Sequence, residues 1–260
     1  MNPTDRLRKY LLSCSPLAIA LSGGIDSSTL TFFCHANGIE FTSYTFSGEH
    51  ITPYEMEHVQ GWVAENSIPH VFIPCRPLNN PRVASNTRDR CYYCKYDLYS
   101  RLKSSVDSGT TIIDGTNASD LKKYRPGLYA LNELEIKTPF AGTGFDRPMV
   151  EKLAWDMGMN IPVFSRSCLF TRFQYGYHLN PLLVKRLGRA EDFLLKAGIF
   201  SFRIRFHTDG TILVQVAFSE KKAFLNIKPG FHALMQELCF YPYQVQYMEF
   251  SRISGYFDRG

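Results

Sequence analysis

A short turn near the N-terminus combines the residue types that bind anions. Residues 20–29 read ALSGGIDSST, so a serine and two glycines end an apolar, strand-like run. Glycines let the backbone curl tightly, and consecutive N–H groups then point at one anion. The helix predicted after the turn adds the positive end of its dipole, while Ser22, Ser27 and Ser28 add hydroxyl donors. The turn lacks the Gly-Lys-Ser/Thr ending of a Walker A loop, which excludes that kind of phosphate site.

Cysteine spacing is the second chemical signal. Cys91 and Cys94 stand three residues apart in RCYYCK, and Cys168 is isolated in SRSCLFTR. The pair has three interpretations: thiols that pack at a helix start, a thioredoxin-like redox motif, or ligands of a metal. The redox motif fits least, because the pair does not follow the first strand of a small βαβ unit. Joined by Cys168, the pair supplies three thiolates, which can hold a four-iron cluster with one iron open to a hydrosulfide.

Two arginines form the third signal. The segment FRIRFH alternates as a strand does, so Arg203 and Arg205 are predicted to share one face. Neighbouring arginines suit a phosphate, because each guanidinium offers a planar fork of donors. The alternative is a solvated strand face.

The elements that position these residues alternate between strand and helix signals. LAIAL, EFTSYTF, HVFIPC and TTIIDGTN read as strands, and helical patterns separate them. This alternation predicts an α/β fold with a doubly wound, mainly parallel sheet. In such sheets ligands bind at the carboxyl ends of strands, where both SGGIDSS and DGTNASD fall.

The pattern changes near residue 170. A helical segment, two strand-like segments, another helix and a last strand-like segment follow it. This order predicts a smaller α+β domain. We therefore expect a catalytic domain over residues 1–170 and a substrate-binding and oligomerisation domain over residues 171–260.

Composition limits the function classes. The chain has 260 residues with 45% hydrophobic and 20% charged residues, as in ordinary globular proteins. The formal net charge of +5 favours anionic ligands such as nucleotides but is mild for a nucleic-acid-binding protein. No apolar run suits a signal peptide or a bilayer-spanning helix, and seven cysteines in such a chain do not indicate a disulfide framework. A cytoplasmic protein, forming a homo-oligomer and not binding membranes, is expected.

The strand, the SGGIDSS turn and the following helix resemble the pyrophosphate-binding loop of the N-type ATP pyrophosphatases. That superfamily cleaves ATP between the α and β phosphates and adenylylates a substrate. The resemblance implies that Asp26 lies near Mg²⁺. By the same resemblance, the residues that hold ATP are Ser22, Gly23, Gly24, Asp26, Ser27, Ser28, Gly115 and Asn117.

Further segments resemble one family of that superfamily. NTRDRCYYCKYDLY, DGTNASDLKKYRPGLYAL, IKTPFAGTGFDRPMVEKLAWDMG, SRSCLFTRFQYG and FRIRFH occur in this order over nearly the whole chain. Together they look like the LarE family of ATP-dependent sulfur transferases of nickel-pincer cofactor biosynthesis. The resemblance implies that a carboxylate of a pyridinium dicarboxylate mononucleotide is adenylylated and that sulfur then displaces AMP. Adenylylation suits this purpose because it gives the carboxylate a good leaving group.

The resemblance also assigns roles to single residues. Cys168 falls on the sulfur-donating position, as a sacrificial donor or, in relatives with three cysteines, as a ligand of a [4Fe-4S] cluster with Cys91 and Cys94. Arg166 and Arg172 flank it and are expected to favour the thiolate. Arg172, Arg203 and Arg205 are expected to bind the substrate, with the last two on its phosphate. Glu191 matches an acidic position associated with a metal.

Three positions depart from the family pattern. Gly142, the apolar and amide residues of TILVQV, and Lys122–Lys123 stand where the family carries acidic residues. The departures bear on metal coordination and on the identity of the carboxylate. A paralogue acting on a different carboxylate is consistent with them.

Other functions make different demands on the chain. A tRNA-thiolating enzyme of the same superfamily needs a dedicated basic RNA-binding region, which the scattered Lys and Arg residues do not form. Ammonia-dependent amidation does not require the placed cysteines. A non-catalytic nucleotide-binding module needs the glycine turn but not Cys168, Arg203 and Arg205. Pyrophosphate release from ATP, with and without candidate carboxylates, separates these possibilities.

Overall fold

The computed structural model describes residues 2–122, 125–159 and 167–258. Contacts divide the chain into two units. The first unit comprises the described residues of Met1–Gly48, Glu57–Cys75 and Cys91–Arg166, and the second comprises those of Glu49–Met56, Arg76–Arg90 and Ser167–Gly260. The domain boundary near residue 170 stays a prediction.

A parallel sheet forms the centre of the first unit. Its strands are β1 (Leu17–Ala20), β2 (Phe41–Ser47), β3 (His70–Pro74) and β4 (Thr111–Asp114). Their order is β3-β2-β1-β4, and every pairing is parallel. All four residues of the central strand β1 are buried, which explains why this strand reads as a continuous apolar run. The predicted α/β class with a parallel sheet is confirmed.

The described residues contain eleven α-helices. They are α1 (Pro3–Cys14), α2 (Ile25–Ala36), α3 (Pro53–Glu65), α4 (Pro81–Ala84), α5 (Arg90–Lys103), α6 (Pro126–Glu133), α7 (Pro139–Gly142), α8 (Arg147–Asp156), α9 (Pro181–Lys196), α10 (Lys221–Glu237) and α11 (Phe250–Ile253). The alternation of strand and helix patterns predicts neither α1 nor α6. None of these helices combines the length and the apolar character that a bilayer-spanning helix needs.

Helices cover both faces of the parallel sheet. Leu17 and Ile19 of β1 share one core cluster with residues of α1, α2 and α8. Ala18 and Ala20 share another with residues of α5 and α6. Because successive side chains of a strand point to opposite faces, the two clusters lie on opposite sides of the sheet.

A three-stranded mixed sheet forms part of the second unit. Its strands are β5 (Phe202–Phe206), β6 (Ile212–Ala217) and β7 (Gln244–Met248). They stand in the order β5-β6-β7, with β5 antiparallel and β7 parallel to β6. The parallel pair is joined through α10.

Helix α10 is longer than the pattern FHALMQELCF predicts, because it continues through Pro229. Proline interrupts helices by removing an N–H donor and by crowding the preceding turn. Phe224, Phe231 and Met235 are all fully buried, and their spacing places them on one helical face. Burial of that face on both sides of Pro229 outweighs the local cost.

Two glycines offer opposite tests of this packing. At Gly115, which follows β4, a Cβ atom would lie 2.8 Å from Ser27 N and 2.9 Å from Ser27 Cα. We expect Gly115→Ala to lower the free energy of unfolding by about 1–3 kcal/mol, because backbone atoms must shift to admit the methyl group. At Gly61, inside α3, a Cβ atom meets open space. We therefore expect Gly61→Ala to raise the free energy of unfolding by roughly 0.5–1 kcal/mol.

Urea unfolding of both variants measures the two changes. Equal stability of Gly115→Ala and the wild type would contradict the close approach of the two backbone segments. The Gly61→Ala variant controls for the general effect of an added methyl group.

Candidate functional site

The strand order of the first unit places a topological switch point at the carboxyl ends of β1 and β4, where doubly wound sheets form their ligand crevice. From β1 the chain continues to β2 and β3 on one side and then forms β4 on the other. The loops that leave β1 and β4 therefore diverge, and ligands of doubly wound sheets bind between such loops. Two segments predicted from the sequence, residues 22–28 and 115–117, directly follow these strand ends. The structure brings them together at this switch point.

The first loop requires glycine for its shape. Gly23 has a φ of +75°, and a Cβ atom there would lie 2.6 Å from Val59 Cγ2. Gly24 is the N-cap of α2, and no side-chain hydrogen bond of the described residues caps this helix from that position. The first turn of α2 therefore presents backbone N–H groups and the positive end of a helix dipole at the crevice, which together favour an anion.

The serines of the loop hold one another. Ser27 Oγ accepts a hydrogen bond from Ser22 N at 3.1 Å and donates to Gly24 O at 3.2 Å. The hydroxyls of Ser22 and Ser27 lie 3.0 Å apart. Ser27 and Ser28 are buried, and Ser28 N donates to Gly24 O within the helix. The serines thus brace the loop, and their role as donors to an anion stays a prediction.

The second loop reaches the first through Gly115 and Asn117. Gly115 lies against the backbone of Ser27, where any side chain would collide. Asn117 is buried, its Oδ1 accepts from Ser119 N at 2.9 Å, and its Nδ2 donates to Asp26 Oδ1 at 3.0 Å. This pattern also settles which amide atom of Asn117 faces Asp26.

The carboxylate of Asp26 has a second partner that the sequence did not single out. Arg147 is the first residue of α8, and its Nη1 donates to Asp26 Oδ2 at 2.7 Å. Burial raises the pKa of Asp26 above its usual value, the Arg147 charge and the Asn117 hydrogen bond oppose that rise, and the Asp120 charge adds to it. In the sequence, Arg147 stands in GFDRPMVEK, which belongs to one of the segments that resemble the family. That motif does not indicate that its arginine reaches the glycine loop.

A buried network anchors the end of β4. Asp114 Oδ2 accepts from Tyr99 Oη at 2.5 Å and pairs with Lys95 Nζ at 3.3 Å. Asp114 Oδ1 accepts from the backbone N–H of Thr116 at 2.7 Å and from its hydroxyl. Burial opposes ionisation, but the Lys95 charge and these hydrogen bonds outweigh it, and the pKa of Asp114 lies below its usual value. The network ties α5 to the turn that carries Gly115.

Cys91 and Cys94 both lie within α5, in the first turns after its start at Arg90. Each thiol is half-buried, and their spacing places them on one face of the helix.

A Cβ atom at Gly127 of α6 would lie 2.9 Å from Lys95 Cδ and 3.5 Å from Cys91 O. The missing side chain of Gly127 therefore leaves room for Lys95 to reach Asp114.

The second unit contains an ion pair that is fully buried. Arg172 Nε donates to Glu191 Oε1 at 2.7 Å, and Arg172 Nη2 donates to Glu191 Oε2 at 3.1 Å. Arg172 Nη1 donates to the hydroxyls of Ser167 and Thr171. Both oxygens of Glu191 thus bind the guanidinium, and a metal role for Glu191 stays a prediction.

Arg203 and Arg205 are also buried, so the solvated-face interpretation is wrong. Arg205 donates to Gln215 Oε1, Thr171 O and Ile253 O, and Arg203 donates to Phe202 O. Burial and the nearby Arg172 charge lower the pKa of Arg205 to about 9, against the opposing effect of Glu191. Gln215 Nε2 is buried and has no hydrogen-bond partner among the described residues. We call Arg172, Arg203, Arg205, Glu191 and Gln215 the arginine cluster.

Cys168 lies in the second unit and is half-buried. It precedes a short 3₁₀ turn over Leu169–Arg172, and its Sγ accepts from Phe170 N at 3.4 Å. No disulfide joins any of the seven cysteines, all of which are described. Within the described ranges, no three His, Cys, Asp or Glu side chains form a group that could hold a metal ion. The iron–sulfur cluster stays a prediction.

Some sequence-based assignments fall elsewhere. Lys123, Tyr124 and Arg166 lie outside the described residues. Gly142 ends α7, where a Cβ atom would meet only Tyr10 Cε2 at 4.0 Å. The Cβ atom of an acidic residue at position 142 would therefore meet no steric clash.

Comparison with known proteins finds three curated relatives among its matches. An uncharacterised Synechocystis protein is 29% identical over 77% of this chain and 76% of its own length. An uncharacterised Methanocaldococcus jannaschii protein is 29% identical over 73% of both chains. The pyridinium-3,5-bisthiocarboxylic acid mononucleotide synthase of Lactiplantibacillus plantarum is 28% identical over 74% of this chain and 72% of its own. No protein-family model matches.

Of these three relatives, the third has a named activity. That relative is a synthase whose name specifies a thiocarboxylic acid product. The chain is thus distantly similar to a synthase of a thiocarboxylic acid mononucleotide.

The Asp114 network predicts a pH-dependent loss of stability. In Asp114→Asn, an NH₂ group replaces one carboxylate oxygen and faces hydrogen-bond donors instead of accepting from them. We therefore expect the free energy of unfolding at pH 7 to fall by about 1–3 kcal/mol. Because the folded state lowers the pKa of Asp114 below 3.8, its carboxylate stabilises the fold above that pH. The contribution is lost as pH falls through the folded-state pKa, so the difference between variant and wild type should shrink below pH 3.8.

Urea unfolding across this pH range measures the difference. Asp107→Asn, at an exposed position before β4, is the matched control and should leave stability unchanged at both ends of the range. A difference that stays constant with pH would contradict the role of the ionised carboxylate.

Proposed function

We propose that this chain is an ATP-dependent sulfur transferase, which adenylylates a substrate carboxylate and converts it to a thiocarboxylate. The observation that carries the proposal is the meeting of two loops at the ends of β1 and β4. There an uncapped helix start, a glycine loop and the Asp26 carboxylate lie beside a second loop packed against the first. Backbone N–H groups suit the phosphates of ATP, and the carboxylate suits the Mg²⁺ that accompanies them.

The first half-reaction activates the carboxylate. A carboxylate oxygen attacks the α-phosphorus of ATP, the bond to the bridging oxygen breaks, and its electron pair leaves with pyrophosphate. Negative charge grows on the pyrophosphate as that bond breaks. The α2 N-terminus and its loop favour this charge, because their N–H groups are already oriented before the reaction.

The second half-reaction delivers sulfur. In one version the Cys168 thiolate attacks the acyl carbon and AMP leaves. Loss of the Cys168 Cα proton then breaks the Cβ–S bond, which leaves a thiocarboxylate on the substrate and dehydroalanine in the chain. The chain thereby loses the atoms of one H₂S and acts once.

In the other version the three thiols keep their sulfur. Thiolates are the ligands that a [4Fe-4S] cluster takes, Cys91 and Cys94 share one face of α5, and Cys168 would supply the third thiolate. When bound, such a cluster supplies an exchangeable sulfide as the sulfur source. We favour this version, because the sacrificial one has no use for the pair in α5.

The arginine cluster supports an anionic substrate. It carries three arginines and one glutamate in a buried setting, and Gln215 Nε2 offers a donor with no partner among the described residues. A phosphate monoester suits neighbouring guanidinium groups, because each offers a planar fork of donors to phosphate oxygens. A pyridinium-3,5-biscarboxylic acid mononucleotide has the required carboxylates and a phosphate. Such a substrate is a small molecule, and the sequence predicts no nucleic-acid or membrane partner. A cytoplasmic homo-oligomer remains the sequence-based expectation.

Release of pyrophosphate tests the first half-reaction. Asp26→Ala is expected to lower the ATP-dependent rate by about 100-fold or more, because the metal–nucleotide complex loses a charged ligand. Asp156→Ala removes the same charge from an exposed position of α8 and should keep the wild-type rate. A folded Asp26→Ala chain with the wild-type rate would refute the assignment of the crevice.

The sulfur source is tested through the cysteines of α5. We expect an anaerobically prepared chain to contain iron and sulfide and to keep its full mass through repeated turnover. Cys91→Ala or Cys94→Ala should remove the iron–sulfur absorbance and stop sulfide-dependent turnover, whereas Cys239→Ala, at an exposed thiol, should not. A colourless chain that loses one H₂S for each thiocarboxylate formed would establish the sacrificial version instead.

A further inference from the structure

Arg147 is held at the glycine loop from both its backbone and its side chain. Its backbone N donates to Ser119 Oγ at 3.1 Å, in the loop that follows β4. Asp146 caps the helix that Arg147 begins by accepting from Met149 N at 3.0 Å. The Arg147 Cα is therefore fixed beside the second loop of the crevice.

The Arg147 guanidinium lies between two carboxylates, and one of its three nitrogens binds neither of them. Arg147 Nη1 donates to Asp26 Oδ2 at 2.7 Å and Nε donates to Glu151 Oε1 at 2.6 Å. Nη2 makes no hydrogen bond with any residue that the structure describes. The side chain is 33% exposed, so this nitrogen belongs to a group that solvent and ligands can reach.

The pair of Asp26 and Arg147 matches a metal–triphosphate complex in charge. Such a complex presents a cation and phosphate oxygens side by side. The carboxylate suits the cation, and the guanidinium fork suits two phosphate oxygens. Each member of the pair then exchanges one counter-ion for another, so neither charge is left unpaired when the complex binds.

We propose that Arg147 binds the pyrophosphate portion of ATP and that Asp26 holds it in place until the nucleotide arrives. The proposal rests on the proposed function, since it requires ATP in the crevice. When the bond between the α-phosphorus and the bridging oxygen breaks, the electron pair moves to pyrophosphate, and Arg147 stabilises the charge that develops there. Glu151 keeps the guanidinium plane oriented through Nε while Nη1 and Nη2 turn to the phosphate.

Binding of two nucleotides to the full-length chain tests the proposal. The probes are Mg²⁺ with an ATP analogue that carries a methylene group between the α and β phosphates, and AMP, which lacks the pyrophosphate portion. Arg147→Ala should weaken binding of the analogue by about 10- to 100-fold, the value of a charge-assisted hydrogen bond to phosphate. Binding of AMP should not change.

Two further variants separate binding from folding. Lys152→Ala removes a positive charge from an exposed position of the same helix and should bind both nucleotides as the wild type does. Arg147→Lys keeps the charge without the fork and should recover part of the lost affinity for the analogue. Thermal unfolding of each variant shows whether the fold is retained.

Each outcome decides between distinct conclusions. Weaker binding of the analogue alone supports the proposal. Unchanged binding of the analogue, or equal weakening of the analogue and AMP, overturns it while the proposed function stands. If the wild-type chain binds neither nucleotide, the proposed function fails and the role of Arg147 fails with it.

Discussion

The contact between Gly115 and Ser27 is the constraint on which the candidate site depends. Two loops leave neighbouring parallel strands in opposite directions, and this contact keeps them together at the sheet edge. A backbone approach closer than any Cβ atom permits demands glycine on one side. It also places Asn117 where its amide reaches Asp26. The crevice therefore depends on a glycine that has no functional group of its own.

Buried charge distinguishes the arginine cluster from the crevice. Arg172 and Glu191 satisfy each other through two hydrogen bonds, which offsets much of the cost of removing both from water. Arg205 donates to two backbone carbonyl oxygens and to Gln215, so its position is determined by the fold of the second unit. Burial lowers its pKa most, the Arg172 charge adds to that effect, and the Glu191 and Asp258 charges oppose it.

The sequence predicts the parallel sheet and the glycine loop well, because both depend on local patterns. A buried strand such as Leu17–Ala20 must be apolar throughout, and the turn after it must contain glycine. It predicts α10 only in part, since burial of Phe224 and Phe231 overrides the local preference of Pro229. The partners Arg147 and Asp26 are separated by 121 positions. No periodicity or spacing relates residues so far apart, and only the folded chain pairs them.

The environment of Asp26 explains why this carboxylate is paired with a cation. Burial alone would favour the neutral acid, and the Asp120 charge acts in the same direction. A carboxylate that stays ionised in this setting needs a cation, and Arg147 supplies one within hydrogen-bonding distance. A hydrophobic neighbour in place of Arg147 would raise the pKa of the acid further. A fully buried arginine, such as Arg172 beside Glu191, would hold the carboxylate permanently. Both side chains of the pair with Arg147 are instead partly exposed, which leaves the pair open to the exchange proposed above.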